Sequence, residues 1–252
     1  SYNKKGTPQE SISETWVNLR TFTSRGQTSS TISWNSCENS SGEHGTLSID
    51  AALGRDKNRN LTLNAKINPT DIMHNGSQWH VSAGEVSGNL ENLSIKGISI
   101  YNDTQRLEVS GTAGKNATDN LNVLTKNVEV STLMGFTNFR AIRFGGKATG
   151  SATLTAIFSA PEVYGKFNID SMKIEDRYVG RGDLDIGWSN DEKARLLDCD
   201  IHNDYAEKTK VKGFLSQAND TIMLKADAKK LNINILSDKL RAYVTDLDGL
   251  AD

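Results

Sequence analysis

The chain has 252 residues, 29 Lys and Arg against 31 Asp and Glu, a net charge of −2, and 36% hydrophobic residues. That length suits one large β-domain or two small ones, and the mixed charges and patterned apolar residues argue against disorder. The near-neutral balance argues against a nucleic-acid or anionic-membrane surface, and no apolar run approaches the roughly 20 residues of a membrane-spanning helix.

Residues 1–44 read as strands that belong to a preceding repeat, and "SYNKKGTPQE" and "DLDGLAD" read as the cut ends of an interior segment. From there the chain alternates. "TLSIDA" (46–51) sets Leu47 and Ile49 on one side, and "LTLNAKI" (61–67) does the same for Leu61 and Leu63. "ATLTAIF" (152–158) aligns Leu154 with Phe158, "KFNID" (166–170) aligns Phe167 with Ile169, and "DLDIGW" (183–188) aligns Leu184, Ile186 and Trp188. "IMLKADA" (222–228) aligns Ile222 with Leu224, and "LNINI" (231–235) aligns Leu231, Ile233 and Ile235. A period of two predicts strands with one buried and one wet face. One-sided strands belong to antiparallel sheets rather than to a doubly wound core. The links at 54–60, 101–106, 114–120 and 216–220 are short and rich in Asn, Asp and Gly, as hairpin turns are. Helix is expected only as one or two turns near 131–136 and 236–243.

One string returns. "ISIYNDTQRLEVSG" (98–111) and "CDIHNDYAEKTKVKG" (199–213) both write Ile-x-Asn-Asp, a polar link and Val-x-Gly. With further matches upstream and downstream, this predicts a first β-repeat module at 45–145, carrying an insertion near 71–90, and a second at 146–252. Repeated multi-strand units stack along an axis, each burying its apolar face against its neighbours.

No catalytic constellation stands out. His44, His74, His80 and His202 lack metal-site spacing, and there is no nucleophile elbow, phosphate loop or dinucleotide fingerprint. Asp183, Asp185, Asp191 and Glu192 invite comparison with a glycosidase carboxylate pair, but Asp183 and Asp185 fall on the polar side of an alternating run. Trp16, Trp34, Trp79 and Trp188 invite a sugar-stacking platform; Trp188 sits with the apolar set, as core or groove lining does. Cys37 and Cys199 form no disulfide framework; one bridge stays open beside the plainer reading of two separate thiols. No metal, cofactor or catalytic residue is assigned.

The stretch from 144 to 201 carries a resemblance. Gly146-Lys147-Ala148-Thr149-Gly150 is followed by an apolar strand, then Pro161-Glu162-Val163-Tyr164-Gly165, a strand with Gly180 and Gly182, and Trp188. This order resembles the repeating modules of the TamB-like translocation and assembly module proteins of the AsmA-like superfamily, in the turn style of Bacteroidetes-type members. The resemblance implies a long sheet bent into a trough, the β-taco, with an apolar lining. It further implies a periplasm-spanning, cell-envelope parent anchored in the inner membrane. Such proteins are linked to phospholipid transport toward the outer membrane, and to outer-membrane protein assembly and secretion with an Omp85-type barrel partner met through other parts of the parent. On this reading the partners are phospholipid acyl chains, and the chain is not an enzyme. The expected lining is Leu47, Ile49, Leu61, Leu63, Leu154, Phe158, Phe167, Ile169, Leu184, Ile186, Leu224, Ile233 and Ile235. Two other classes remain: a scaffold that adds client strands to its edges, and a carbohydrate-binding or adhesive β-domain.

Overall fold

The computed structural model describes residues 16–25, 27–36, 43–74, 76–134, 143–189, 194–205, 207–216, 221–232, 234 and 249–251. Its strands are β1 (Trp16–Ser24), β2 (Gln27–Ser36), β3 (Glu43–Arg55), β4 (Leu61–Ile67), β5 (Thr70–His74), β6 (Ser77–Val81), β7 (Gly84–Asn89), β8 (Asn92–Tyr101), β9 (Arg106–Gly114) and β10 (Asn120–Glu129). A short helix, α1 (Val130–Met134), precedes β11 (Phe144–Thr155), β12 (Glu162–Ile174), β13 (Arg177–Ser189), β14 (Ala194–His202), β15 (Lys208–Ser216) and β16 (Thr221–Asp227). These sixteen strands form one antiparallel sheet in which neighbours in sequence pair almost throughout. A separate pair joins β17 (Leu231–Asn232) to β18 (Leu250–Ala251). The all-β, elongated antiparallel architecture with a very short helix is therefore present. The helix expected near 236–243 lies outside the described residues.

The segment read as an insertion near 71–90 is part of the sheet. β4 and β7 pair with Thr62 opposite Asn89 and Ile67 opposite Gly84. β5 and β6 pair in the same register, with Thr70 opposite Val81 and His74 opposite Ser77. Residues 61–89 are thus one long hairpin, broken at matching points by Asn68-Pro69 and Ser82-Ala83. Pro69 has no N–H for the ladder, and side chains take over there. Thr70 Oγ1 donates to the Thr46 carbonyl at 2.7 Å, and Ser82 Oγ donates to the Gly97 carbonyl at 2.7 Å while accepting from the Ser99 amide. β3 and β8 hold both halves. In β8 a bulge between Ile95 and Ile98, with Gly97 at φ +68°, returns the strand to register.

The recurring string forms two hairpins of one build. Asn102 closes the β8–β9 turn: its Oδ1 accepts the Thr104 and Gln105 amides, and its amide donates to the Gln105 carbonyl. Asn203 closes the β14–β15 turn, where its Oδ1 accepts the Tyr205 and Glu207 amides and its amide donates to Glu207. The second loop is one residue longer. Removing the acceptor leaves two turn amides unpaired, so Asn203→Ala is expected to cost about 1–2 kcal/mol in urea unfolding. The boundary at 145/146 falls inside β11.

A two-sheet sandwich would bury the facing side chains of both layers; here most apolar side chains stay half-buried. The tight core lies where α1 packs on the sheet. Val130, Ala148, Ile169, Met172, Val179, Cys199 and Ile201 form it, with Leu133 and Met134 of α1 packed against them.

Candidate functional site

Strand registers define one apolar face across the sheet. One row runs Ala51, Ala65, Val86, Ile95, Gly111, Leu121, Leu154, Val163 from β3 to β12. A second runs Ile98, Val109, Val123, Ala152, Gly165, Ile186, Leu197, Gly213, Leu224 from β8 to β16. A third runs Ile100, Leu107, Thr125, Gly150, Phe167, Leu184, Cys199, Val211. The bulge at Ile95 and Ile98 keeps the first two rows on the same side.

Most of the expected lining stands on this face. Leu47, Ile49, Leu61 and Leu63 occupy it on β3 and β4, and Leu154, Phe167, Ile169, Leu184 and Ile186 occupy it on β11 to β13. Leu224 sits opposite Gly213 at a position on this face. Leu61 lies at the rim and is 42% exposed. Phe158 is a correction. β11 stops at Thr155, Ala156 turns at φ +50°, and the Phe158 amide donates to the Gly114 carbonyl. Phe158 therefore stands in a turn against the β9–β10 loop and not in the strand alternation. Ile233 and Ile235 lie outside the described residues; of the run at 231–235, Leu231–Asn232 form β17, which pairs with β18 apart from the large sheet.

Sequence reading missed the small residues between these side chains. Glycines that look like turn residues stand within strands, or at the start of one for Gly84, on the face, with large neighbours lying over them. A Cβ on Gly165 or Gly150 would come within 2.9 Å of the Phe167 ring, one on Gly182 within 2.6 Å of Met172 Sδ, and one on Gly84 within 2.6 Å of Ile98 Cγ1. The large side chains lie flat on a glycine floor, as aromatic rings cover strand glycines elsewhere. Trp34 and Trp79 also stand on this face, in the row Trp34, Gly45, Ile72, Trp79.

The opposite face is mostly polar and largely self-paired, with Phe22, Leu124 and the row Leu196, Phe214, Met223 as its apolar exceptions. Across β12 to β16 runs Lys166, Asp185, Asp198, Lys212, Lys225. Lys166 meets Asp185 at 2.8 Å, Lys212 meets Asp198 at 3.8 Å, and Lys208 pairs with Asp200. Asp183 accepts from Asn168 at 2.6 Å and pairs with His202 Nε2 at 2.9 Å. Partial burial raises the Asp183 pKa, but the hydrogen bonds from Asn168 and His202 outweigh it and leave it below the ordinary value. Its share of stability is present above the unfolded carboxylate pKa and is lost as pH falls through the lower folded one. Asp183 and Asp185 thus serve a cross-strand ion ladder, while Asp191 and Glu192 lie outside the described residues. Shallow hollows of about 760 Å³ beside this ladder and about 530 Å³ beside Ser29, Asp50, Lys66 and Glu85 mix such polar groups with apolar ones, Phe167, Leu184 and Leu196 in the first and Phe22, Ala51 and Val86 in the second. Asp71 pairs with His80 Nδ1 at 2.6 Å and accepts from Gln78, which braces the β5–β6 hairpin. Among the described residues no cluster of His, Cys, Asp and Glu is arranged to hold a metal ion.

Cys199 is free and buried on the apolar face; Cys37 lies outside the described residues. Burial, with the charges of Asp200, Asp183 and Asp198 behind it, pushes the Cys199 thiol up to about 11. In a Cys37→Ser chain at pH 8, alkylation of Cys199 is expected to run about 100-fold slower than in the urea-unfolded chain. Equal labelling rates would contradict its burial.

Comparison with protein-family models, curated proteins and solved structures finds no match.

Proposed function

We propose that this chain is a non-enzymatic segment of a cell-envelope protein whose apolar sheet face carries phospholipid acyl chains between inner and outer membranes. The observation behind this reading is the largely apolar face, which crosses the strands row after row and, among the described residues, is covered by a helix only near the α1 core. Each methylene moved from water onto such a face contributes about 0.8 kcal/mol. An acyl chain therefore gains affinity by lying along the rows, with no charged site required. The charged opposite face keeps the sheet in water, in keeping with a periplasmic path. The resemblance of 144–201 to TamB-like modules points the same way, and with it to a parent anchored in the inner membrane.

A second reading has its own observation. β1 and β16 each pair on one side only among the described residues, and Val17, Leu19 and Phe22 of β1 are more than three-fifths exposed. Such edges accept added strands, as a scaffold for outer-membrane protein assembly beside an Omp85-type barrel requires. A carbohydrate-binding domain draws less support, because the exposed aromatic residues among those described, Phe22, Phe158, Tyr164, Tyr178 and Tyr205, are spread over several strands and turns.

Titration of the purified chain with a phospholipid bearing a fluorescent acyl chain separates these readings. Saturable binding, displaced by unlabelled phospholipid and not by oligosaccharide, is the expected result. Absence of binding, together with capture of a β-strand peptide at β1, would favour the scaffold.

A further inference from the structure

The apolar face has two unlike margins. At the end of the strands where β10 leaves the sheet, α1 lies over the face with Val130, Leu133 and Met134. At the opposite end, where β3 turns into β4, the face stays open. Leu53 pairs with Leu63 there, and their row continues through Gly88 and Leu93 to Ala113. Leu53 is 55% exposed and Leu61 42%. Arg55 follows Leu53 on the same face, directly across from Leu61. The turn beyond adds Lys57 and Arg59, and all three cations are exposed. One acid stands among them. Asp56 accepts the Asn58 and Asn60 amides at 2.8 Å and Asn60 Nδ2 at 3.0 Å, so it is committed within the turn. Arg55 Nη1 donates to the Arg59 carbonyl at 2.8 Å, which leaves the rest of its fork open. None of the three cations meets a carboxylate at ion-pair distance among the described residues, whereas Lys166, Lys208 and Lys212 on the opposite face are all paired.

We propose that Arg55, Lys57 and Arg59 of the β3–β4 hairpin bind the head-group phosphate of a phospholipid whose acyl chains enter the apolar face over Leu53 and Leu61. The inference rests on the acyl-chain reading and adds to it a position and a charge. A free anion would use the cations and leave the exposed leucines idle; a neutral lipid would use the leucines and leave the cations idle. A phosphodiester with two acyl chains engages both. Its two unsubstituted oxygens share one negative charge, which suits an Arg fork with a second cation beside it. The head group stays in water at this margin, so the phosphate keeps most of its hydration and the cations add attraction without a buried charge.

The test compares a short-chain phosphatidylglycerol with the diacylglycerol of the same chains, both monomeric in solution at low salt. The unaltered chain is expected to bind the phospholipid about 10-fold more tightly, the effect of two or so cations near one phosphate. Salt at about 0.5 M is expected to erase most of that preference. Arg55→Gln, Lys57→Gln and Arg59→Gln together are expected to bring the ratio of the two affinities to about one. If the triple variant lowers the urea midpoint, Lys57→Gln with Arg59→Gln keeps Arg55 and its bond to the backbone of residue 59 and carries the same comparison. Lys96→Gln, Lys126→Gln and Lys147→Gln together remove the same charge from the opposite face, and the preference is expected to survive them. Equal binding of both lipids by the unaltered chain, a preference that survives the hairpin variants, or an equal loss in the opposite-face variant overturns the inference and leaves the acyl-chain reading standing. Glycerol phosphate binding as tightly as the phospholipid also overturns it, and makes the hairpin a site for free phosphate esters. Failure of both lipids to bind overturns the inference and the acyl-chain reading together.

Discussion

Ile201→Asp is expected to destabilise the fold by at least about 4 kcal/mol, enough to unfold the α1 core in urea well before the rest of the sheet. Ile201 is 1% exposed and packs with Ile169, Cys199, Ala148 and Val130. The substitution removes a fully buried aliphatic side chain and sets an unpaired carboxylate in its place; each change alone costs several kcal/mol. Its counterpart in the first hairpin, Ile100, is only half-buried, because α1 lies over β11 and its neighbours and not over β8. Ile100→Asp is therefore expected to cost about 1–3 kcal/mol, since water still reaches the carboxylate. Equal shifts of the two urea midpoints would contradict the placement of the core under α1.

Phe167→Asp is expected to lower acyl-chain binding at least 10-fold while the chain stays folded. Phe167 is half-buried and lies over Gly150 and Gly165 in the middle of the third row. A carboxylate there interrupts the apolar track and must be desolvated by any chain that crosses it. The matched control is Ser151→Asp, which places the same charge one residue beyond Gly150, on the opposite face and across from Lys166. It should leave binding within about twofold and stability within about 0.5 kcal/mol. Urea unfolding of both variants keeps loss of binding separate from loss of structure. If Phe167→Asp folds and binds as the parent chain does, the apolar face is not the binding surface.

Much of the fold was legible because period-two alternation records which side of a strand meets water. The run 61–67 is β4, residue for residue, and the run 46–51 lies within β3. The recurring Asn-Asp string marked two hairpins because an Asn side chain mimics a turn carbonyl. Where alternation was weak, the strands were harder to see. β2 reads Gln-Thr-Ser-Ser-Thr-Ile-Ser-Trp-Asn-Ser, and only Ile32 and Trp34 announce its apolar face. Residues 71–90 looked like an insertion because their strands are five or six residues long and β7 carries one large apolar residue, Val86. What joins them to the sheet is the shared register of 61–74 with 77–89, a pairing between distant residues that local pattern does not encode.

The candidate site divides along the same line. Large residues such as Leu63, Leu154 and Phe167 declare their face by alternation. Gly150, Gly165 and Gly182 belong to the same face, but a glycine has no side chain to declare a side, and local sequence assigns it to a turn. Phe158 misled in the opposite way. It continues the spacing of Ala152, Leu154 and Ala156, yet the left-handed turn at Ala156 takes it out of the strand.

The central claim is that lipid travels on one face of this sheet, and photo-crosslinking along a single row tests it most directly. Benzoyl-phenylalanine placed singly at Val86, Leu121, Leu154 and Val163 probes the apolar face in the parent protein within cells, and at Lys66, Lys96, Asn122 and Thr153 it probes the polar face. The account predicts phospholipid adducts at all four apolar positions and none above background at the polar ones. Adducts spread equally over both faces, or protein adducts alone at the apolar positions, would contradict it.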